Sequence, residues 1–554
     1  MKRNLERLAD QKFDVLVVGG GIHGAITAWD AALRGLSVGL IERGDFGSGT
    51  SQNSLKMIHG GLQYLHEGNL SRSRMMVRER TTWMKIAPHL IHPLACLIPT
   101  TQTMSRSRLV MSLALRVNDL LGFDRNRLAD PQKDLPEGMI VSQRELSRIL
   151  PGYDISTSTG AAVWYEAQIY NSERLLLEFI LSAVQAGAEV ANYVEAINFL
   201  QCEDRITGVR AKDLQTGQVF DIGSKLVINS AGAWKDCLLE KAVLRSGYVA
   251  SVAMNVIVDQ VWSDVAVGLT SQSVNGKPAQ VVFMVPWRNK SIVGTCYIPW
   301  REAPHRFKLK EAMVQGFLDQ INHTYPPLKL FLKDVRQVTW GFLPVHREDA
   351  KEQQVKLRRD GVVIDHEKKD GISGLISILG VKHTTARAVA EQAMNLAVSK
   401  LGKTTQKCQT HTTPVKGGKI EDFTAFLRQA RAEAARVPNE RFIDHLVYTY
   451  GSEYQNLVQC VMKHPDLARR IAPPLPVTVA EVKYAVHHEM ALTLADVIKR
   501  RTELGSAGLP SLDTLQKCAD LMGREFQWSI ERQQQEIDCI LQDYHFGEMD
   551  SIPA

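Results

Sequence analysis

Near its start the chain sets two short apolar runs on either side of a glycine-rich turn. Phe13–Val18 is bounded by glycine and too short for a helix, so it reads as a buried strand. Residues 25–33 are alanine-rich and helix-compatible, Gly35 suits the end of that helix, and residues 36–41 form a second buried strand. Farther on the periodicity changes. Residues 71–127 read as helical, and within them Arg108–Leu121 carries apolar side chains over most of one face with arginines at its edges. Such a helix either dips into a membrane interface or packs in the core of a substrate domain. Residues 161–165 and then 171–183 read as a strand leading to a helix, and a further strand runs up to residue 197. From 248 to 300 apolar and polar positions alternate, as in strands of an antiparallel sheet. Beyond 403 comes a polar stretch and then helical periodicity over 422–437, 440–450, 478–504 and 511–541, with Thr478 and Glu481 in capping-box spacing.

Composition narrows the class. The length of 554 residues suffices for two or three domains. With 66 basic against 60 acidic side chains the net charge is +6, too small at this length to argue for a nucleic-acid partner. The eight cysteines are scattered, with no CxxC pair and no histidine at metal spacing, which points to free thiols in a reducing compartment and to no metal site. His487 and His488 are adjacent, so on a helix they point about a hundred degrees apart and make a poor chelating pair. Residues 1–11 are charged and hold no apolar core for a secretory signal. No run approaches the ~20 apolar residues needed to span a bilayer. A cytoplasmic protein is expected, at most peripheral on the inner face of the cytoplasmic membrane.

The turn after the first strand carries the chemistry. Gly19, Gly21 and Gly24 stand in GxGxxG spacing: the first for a tight turn, the second for close approach of backbone to a pyrophosphate, the third for helix against strand. The helix N-terminus offers free N–H groups to phosphate. Glu42, at the tip of the second strand, can bind both hydroxyls of an adenosine ribose and would repel a 2′-phosphate, which favours FAD or NAD over NADP.

After Glu42 come Arg43 and a loop rich in glycine, serine and threonine, with Thr50-Ser51 and then Lys56-Met57-Ile58-His59-Gly60-Gly61-Leu62-Gln63-Tyr64-Leu65. These motifs resemble the FAD-dependent glycerol-3-phosphate dehydrogenases of the D-amino-acid-oxidase-like flavoproteins. The resemblance extends through Val194 in the return strand, Asn229-Ser230-Ala231-Gly232-Ala233-Trp234, and Gly380-Val381-Lys382-His383-Thr384-Thr385 to about residue 504. It implies an α/β FAD-binding Rossmann-like domain over 1–402, interleaved with an inserted antiparallel-sheet substrate domain (mainly about 71–165 and 245–345), and an all-α C-terminal domain over 403–554.

The resemblance also implies that FAD is held by Gly19, Gly21, Gly24, Glu42, Arg43, Thr50, Ser51, His59, Gly60, Gly61, Val194, Ala231, Gly232, Gly380, Lys382 and Thr384. A substrate phosphate falls to Arg359 and Lys382. Gln63 and Leu343 stand where the family has arginine, Asn255 where it has a histidine proposed to handle the substrate proton, and His383 where it has leucine. The implied reaction oxidises glycerol 3-phosphate to dihydroxyacetone phosphate and passes electrons to a quinone or other acceptor, with Arg347, Arg358 or another base substituting. Two alternatives stay open: a paralogue in which Gln63, Asn255 and His383 reshape the pocket for another small polar alcohol or amine, and a non-catalytic flavoprotein.

Overall fold

The computed structural model describes residues 1–262, 264–271, 280–346, 357–433 and 440–545. Two sheets organise the first four hundred residues. In the first, the strands run in the order Val362–Asp365, Leu375–Leu379, Val219–Asn229, Phe13–Val18, Val38–Ile41 and Glu189–Ala191. All neighbours are parallel except the outermost pair at 362–379. Strands Val194–Cys202 and Arg205–Asp213 extend from it as an antiparallel ribbon.

The central strand Phe13–Val18 is buried at every position, as a parallel strand covered on both faces must be. Helices Ile22–Leu33, Ser172–Gln185 and Ala386–Leu401 pack together beside the sheet, and their alanines let the backbones come close. Trp29 and Trp83 close that core around Phe179, with ring centroids 5.3 and 5.4 Å away. Gly35 takes φ +83° just after the first of these helices, the left-handed position that ends a helix.

The second sheet has nine strands, ordered Val335–His346, Tyr248–Asp259, Lys290–Pro299, Val281–Trp287, Val265–Thr270, Ile91–Thr101, Ser158–Ile169 and Met57–Ile58, with Met139–Val141 beside Ser158–Ile169. It is antiparallel apart from one parallel pair, Val265–Thr270 with Ile91–Thr101. Ile91–Thr101 corrects the helical reading of 71–127. Pro93 and Pro99 cannot sit inside a helix and bias the preceding residues towards extended backbone, so the chain leaves the helix Leu70–Ile86 and enters the sheet.

The C-terminal part is helical around its own core, built from helices such as Phe423–Glu433, Glu440–Tyr450, Val479–His488, Leu512–Phe526 and Ile530–Tyr544. Thr478 and Glu481 do form a capping box, the Thr478 amide donating to Glu481 at 2.8 Å. Two expected long helices are broken. The 478–504 stretch stops at His488, passes Met490 at φ +57°, and restarts as Leu494–Asp496 followed by a wide turn over Val497–Arg501. The break turns Glu489 inward onto Arg174, a contact that periodicity cannot reveal. The 511–541 stretch breaks at Gln527, which adopts φ +56°. His487 pairs with Glu525 at 3.0 Å and His488 stacks on Tyr484 at 4.6 Å. No helix among the described residues is long and apolar enough to cross a membrane.

Candidate active site

Along the carboxyl ends of the parallel strands lie Gly380, Ser230, Gly19 and Glu42, in the order set by the sheet. Three inter-strand steps at ~4.8 Å put Gly380 and Glu42 about 14 Å apart along that edge. A cavity of about 1340 Å³ opens over the edge. It exceeds the ~300–1,000 Å³ of a pocket for one small ligand.

The glycine turn is built to bring backbone to that cavity. At Gly19, held at φ +108°, an added Cβ would stand 2.5 Å from the Ser230 carbonyl oxygen. Gly21 lines the cavity, and the next amide, Ile22 N–H, donates to Ser51 Oγ at 3.0 Å. Glu42 accepts from the Gly20 amide at 2.6 Å and the Gly44 amide at 2.8 Å, which fixes its carboxylate at the strand tip. Burial nevertheless pushes that carboxyl up from its usual range. Arg43 lies over the Trp234 ring at 5.4 Å on the same rim.

Of the expected residues, Gly19, Gly21, Glu42, Arg43, Thr50, Ser51, His59, Gln63, Val194, Ala231, Gly232, Asn255, Arg359, Gly380, Lys382, His383 and Thr384 all line this one cavity. Gly24 stands behind it, where a Cβ would be 1.9 Å from the Gly19 carbonyl oxygen. Gly60 and Gly61 are not among its wall residues. Both are small for packing, since a Cβ on Gly60 would lie 2.2 Å from Arg80 Nη1 and one on Gly61, at φ +87°, 2.9 Å from Met76 Cβ. Arg347 lies outside the described residues, whereas Arg358 and Leu343 line the cavity.

The second sheet supplies the roof. Asn255 is buried and committed: its Oδ1 accepts from Thr295 Oγ1 at 3.0 Å, and its Nδ2 donates at 3.4 Å to both the Asn53 carbonyl and Thr339 Oγ1. A carboxamide held this way takes up no proton. Near Gly380, Lys382 donates to the Tyr64 hydroxyl, and burial lowers the ammonium to about 8. Burial also lowers His59, whose amide donates to Thr384 Oγ1 at 3.0 Å.

Sequence reasoning missed His23, which sits inside the glycine motif and packs on Gly380 so closely that a Cβ there would be 2.1 Å from the imidazole. Burial lowers His23 to about 3 and His383 to about 4, the latter helped by the nearby Lys56 ammonium, so both are neutral. Tyr64 and Thr295 were missed as well. In sequence they are a tyrosine within residues 56–65 and a threonine in a strand, and the contacts that make them part of the site are long-range.

A flavin dinucleotide suits these residues. Gly19 and Gly21 bring bare backbone to the cavity wall, Glu42 stands at the tip of the second strand, and the cavity continues past Gly380 under the roof sheet. A second nucleotide-facing segment follows Val219–Asn229, where Gly232 takes φ +57° with nothing within 4 Å of an added Cβ.

Comparison with known proteins agrees. A family model described as FAD dependent oxidoreductase matches residues 14–389, and one described as the C-terminal domain of alpha-glycerophosphate oxidase matches residues 408–533. The chain is 31% identical to a Synechocystis protein named glycerol-3-phosphate dehydrogenase, over 100% of this chain and 99% of that one. It is 29% identical to the human mitochondrial glycerol-3-phosphate dehydrogenase, over 95% of this chain and 72% of the relative. A solved glycerol-3-phosphate dehydrogenase from Bacillus halodurans, complexed with FAD, shares the fold at a TM-score of 0.79 and 24% identity, covering 99% of this chain and 98% of that one. A nucleotide cradle at one end of the cavity, a roofed chamber at the other and a helical domain behind them thus place this chain in the FAD-dependent oxidoreductase family, among relatives named glycerol-3-phosphate dehydrogenase.

Proposed function

We propose that the chain oxidises glycerol 3-phosphate to dihydroxyacetone phosphate and hands the electrons to a quinone. The observation that carries this reading is the presence of Lys382, Arg358 and Arg359 on the wall of the same cavity as the dinucleotide cradle. Gly19, Gly21 and Glu42 would hold the FAD dinucleotide, which would supply a hydride acceptor for the substrate C–H bond. The protein binds a small dianion through these cations, the guanidiniums by paired hydrogen bonds and the ammonium as a point charge. The hydroxyl proton goes to another group than Asn255; His59 is a wall residue whose imidazole burial holds towards its neutral, proton-accepting form.

A second reading rests on Gln63, Leu343 and Asn255, which line the cavity where the family carries basic residues. Each charged hydrogen bond lost from a desolvated site costs about 1.5–3 kcal/mol, enough to turn the pocket towards another small polar alcohol or amine.

One exposed helix face supports the choice of acceptor and location. On the helix Arg108–Leu121, Met111 and Leu115 are buried, whereas Leu109 and Leu120 are 78% and 73% exposed beside Phe123 at 68%. Arg108 and Arg116 are exposed on the same helix, and Arg127 lies over the Phe123 ring at 5.8 Å. That arrangement suits peripheral binding to an anionic membrane surface, where a quinone is found.

Anaerobic addition of glycerol 3-phosphate to the flavin-loaded protein tests the reading. Bleaching of the flavin supports it. Bleaching by another alcohol or amine alone selects the second reading, and no bleaching across a broad panel marks a non-catalytic flavoprotein.

A further inference from the structure

The helical C-terminal domain meets the cofactor loop at a buried carboxylate, Asp45. Asp45 lies three residues beyond Glu42, behind the cavity wall, with its side chain fully shielded from solvent. Arg501 grips it with both terminal nitrogens at 2.7 Å, Arg500 Nε donates to it at 2.5 Å, and Asn192 Nδ2 adds a fourth bond at 3.0 Å. Arg500 also donates to Asp496 at 2.7 Å, so two carboxylates balance two guanidiniums. Consecutive residues on a regular helix point about a hundred degrees apart. Here the wide turn over Val497–Arg501, closed by Thr502 N–H on the Val497 carbonyl at 3.0 Å, accompanies the convergence of both arginines on one carboxylate.

What Asp45 holds in place is the glycine turn. The next side chain, Phe46, packs on Gly20, where a Cβ would stand 2.8 Å from its ring, and the Gly47 amide donates to the Gly20 carbonyl at 3.1 Å. Gly20 in turn donates to Glu42. The residues on either side of Asp45 and Phe46, Arg43 and Gly44 before and Gly47 to Ser51 after, form cavity wall.

We propose that Arg500, Arg501 and Asp45 are positioning residues for the cofactor: the C-terminal domain clamps the 42–51 loop, so that tight FAD binding depends on side chains more than four hundred residues away. Burial alone would raise the Asp45 carboxyl, but Arg501 and Arg500 hold it well below the usual carboxylate range, so the clamp stays ionised across the working pH. The proposal depends on the family's flavin and not on which substrate is oxidised.

The test uses the full-length protein and the FAD dissociation constant, read by flavin fluorescence on titration of the apoprotein. Arg501→Gln should raise that constant at least about tenfold, the scale of one lost charge-assisted bond in a buried network. Arg501→Lys, which keeps the charge and one donor, should recover part of it. The matched control is Arg174→Gln, which cuts another buried ion pair to the C-terminal domain, at Glu489, a residue that Arg501 meets through its backbone carbonyl and whose side chain is not a partner of Asp45. It should lower the melting temperature while moving the constant less than about threefold. If Arg501→Gln yields no folded protein, Arg500→Lys decides in the same way. Unchanged FAD affinity in the Arg501 or Arg500 variants, or equal weakening in Arg174→Gln, overturns the proposal.

Discussion

The Thr50 hydroxyl accepts a hydrogen bond from the Phe342 amide at 2.9 Å and lies 3.2 Å from the Phe342 carbonyl oxygen. One side chain thus fastens the cofactor loop to the roof strand Val335–His346, and Gly341 beside it leaves room, since a Cβ there would be 2.7 Å from Thr50 Cγ2. Thr50→Val keeps the shape and strands the Phe342 amide, at a cost of about 1–3 kcal/mol. We expect the variant to keep its flavin but lose kcat/KM through a raised KM, with Thr50→Ser near wild type. Steady-state kinetics beside flavin content checks this; parallel loss of flavin would show that the bond serves the cradle instead.

Substitution in the glycine turn should act on flavin retention directly. Gly24→Ala drives a methyl group into the Gly19 carbonyl, and Gly21→Val places a branched side chain in the cavity wall beside Ser51. Both proteins should purify colourless and stay so with excess FAD. A fully yellow Gly21→Val would contradict the placement of the pyrophosphate.

Substrate affinity should fall with rising pH. Burial lowers Lys382 to about 8, so the ammonium is present below that pH and lost above it. An anionic substrate held by that charge therefore binds more weakly as pH climbs through 8. Lys382→Met should bind weakly at every pH and show no such step. A wild-type substrate dissociation constant that is flat from about pH 7 to 9 would remove Lys382 from the anion site.

Acid should destabilise the protein through two histidines. His23 and His383 stay neutral in the fold down to about 3 and about 4, whereas an unfolded histidine protonates near 6.5. Between those limits the unfolded state binds more protons, so stability falls as pH drops below about 6.5, by roughly 1 kcal/mol per pH unit for each group. Urea unfolding of the wild type and of His23→Asn and His383→Leu at two pH values measures the slope. Unchanged slopes in the variants would show the acid sensitivity to lie elsewhere.

The apolar ridge gives a further readout. Leu109→Glu with Leu120→Glu leaves the buried Met111 and Leu115 untouched. The double variant should keep its flavin and fail to sediment with vesicles rich in anionic lipid, which the wild type should bind in a salt-dependent way. Equal sedimentation of both proteins would exclude this helix as the docking surface.

How much of this could be read without coordinates depended on the range of the interaction. Strand, glycine turn, helix and strand-tip acid from Phe13 to Glu42 are adjacent in sequence, and each carries its own local reason, so the cradle and its ligand class were legible. So were the alternating strands between 248 and 300 and the capping box at Thr478. Local pattern misled where tertiary contacts set the backbone. The break at Glu489 serves Arg174, and the strand Ile91–Thr101 lies in a stretch read as helical despite its two prolines.

The sequence alone determined that a dinucleotide lies on a βαβ unit, because turn geometry and phosphate recognition there involve backbone and near neighbours. Only the tertiary structure decided that Gly60 and Gly61 have no room for a side chain, that Asn255 is tied up by Thr295, and that Asp45 answers to Arg500 and Arg501. Each of these is a contact between residues far apart in the chain, and its partner is chosen by how sheets and helices pack, which no spacing of residue types records.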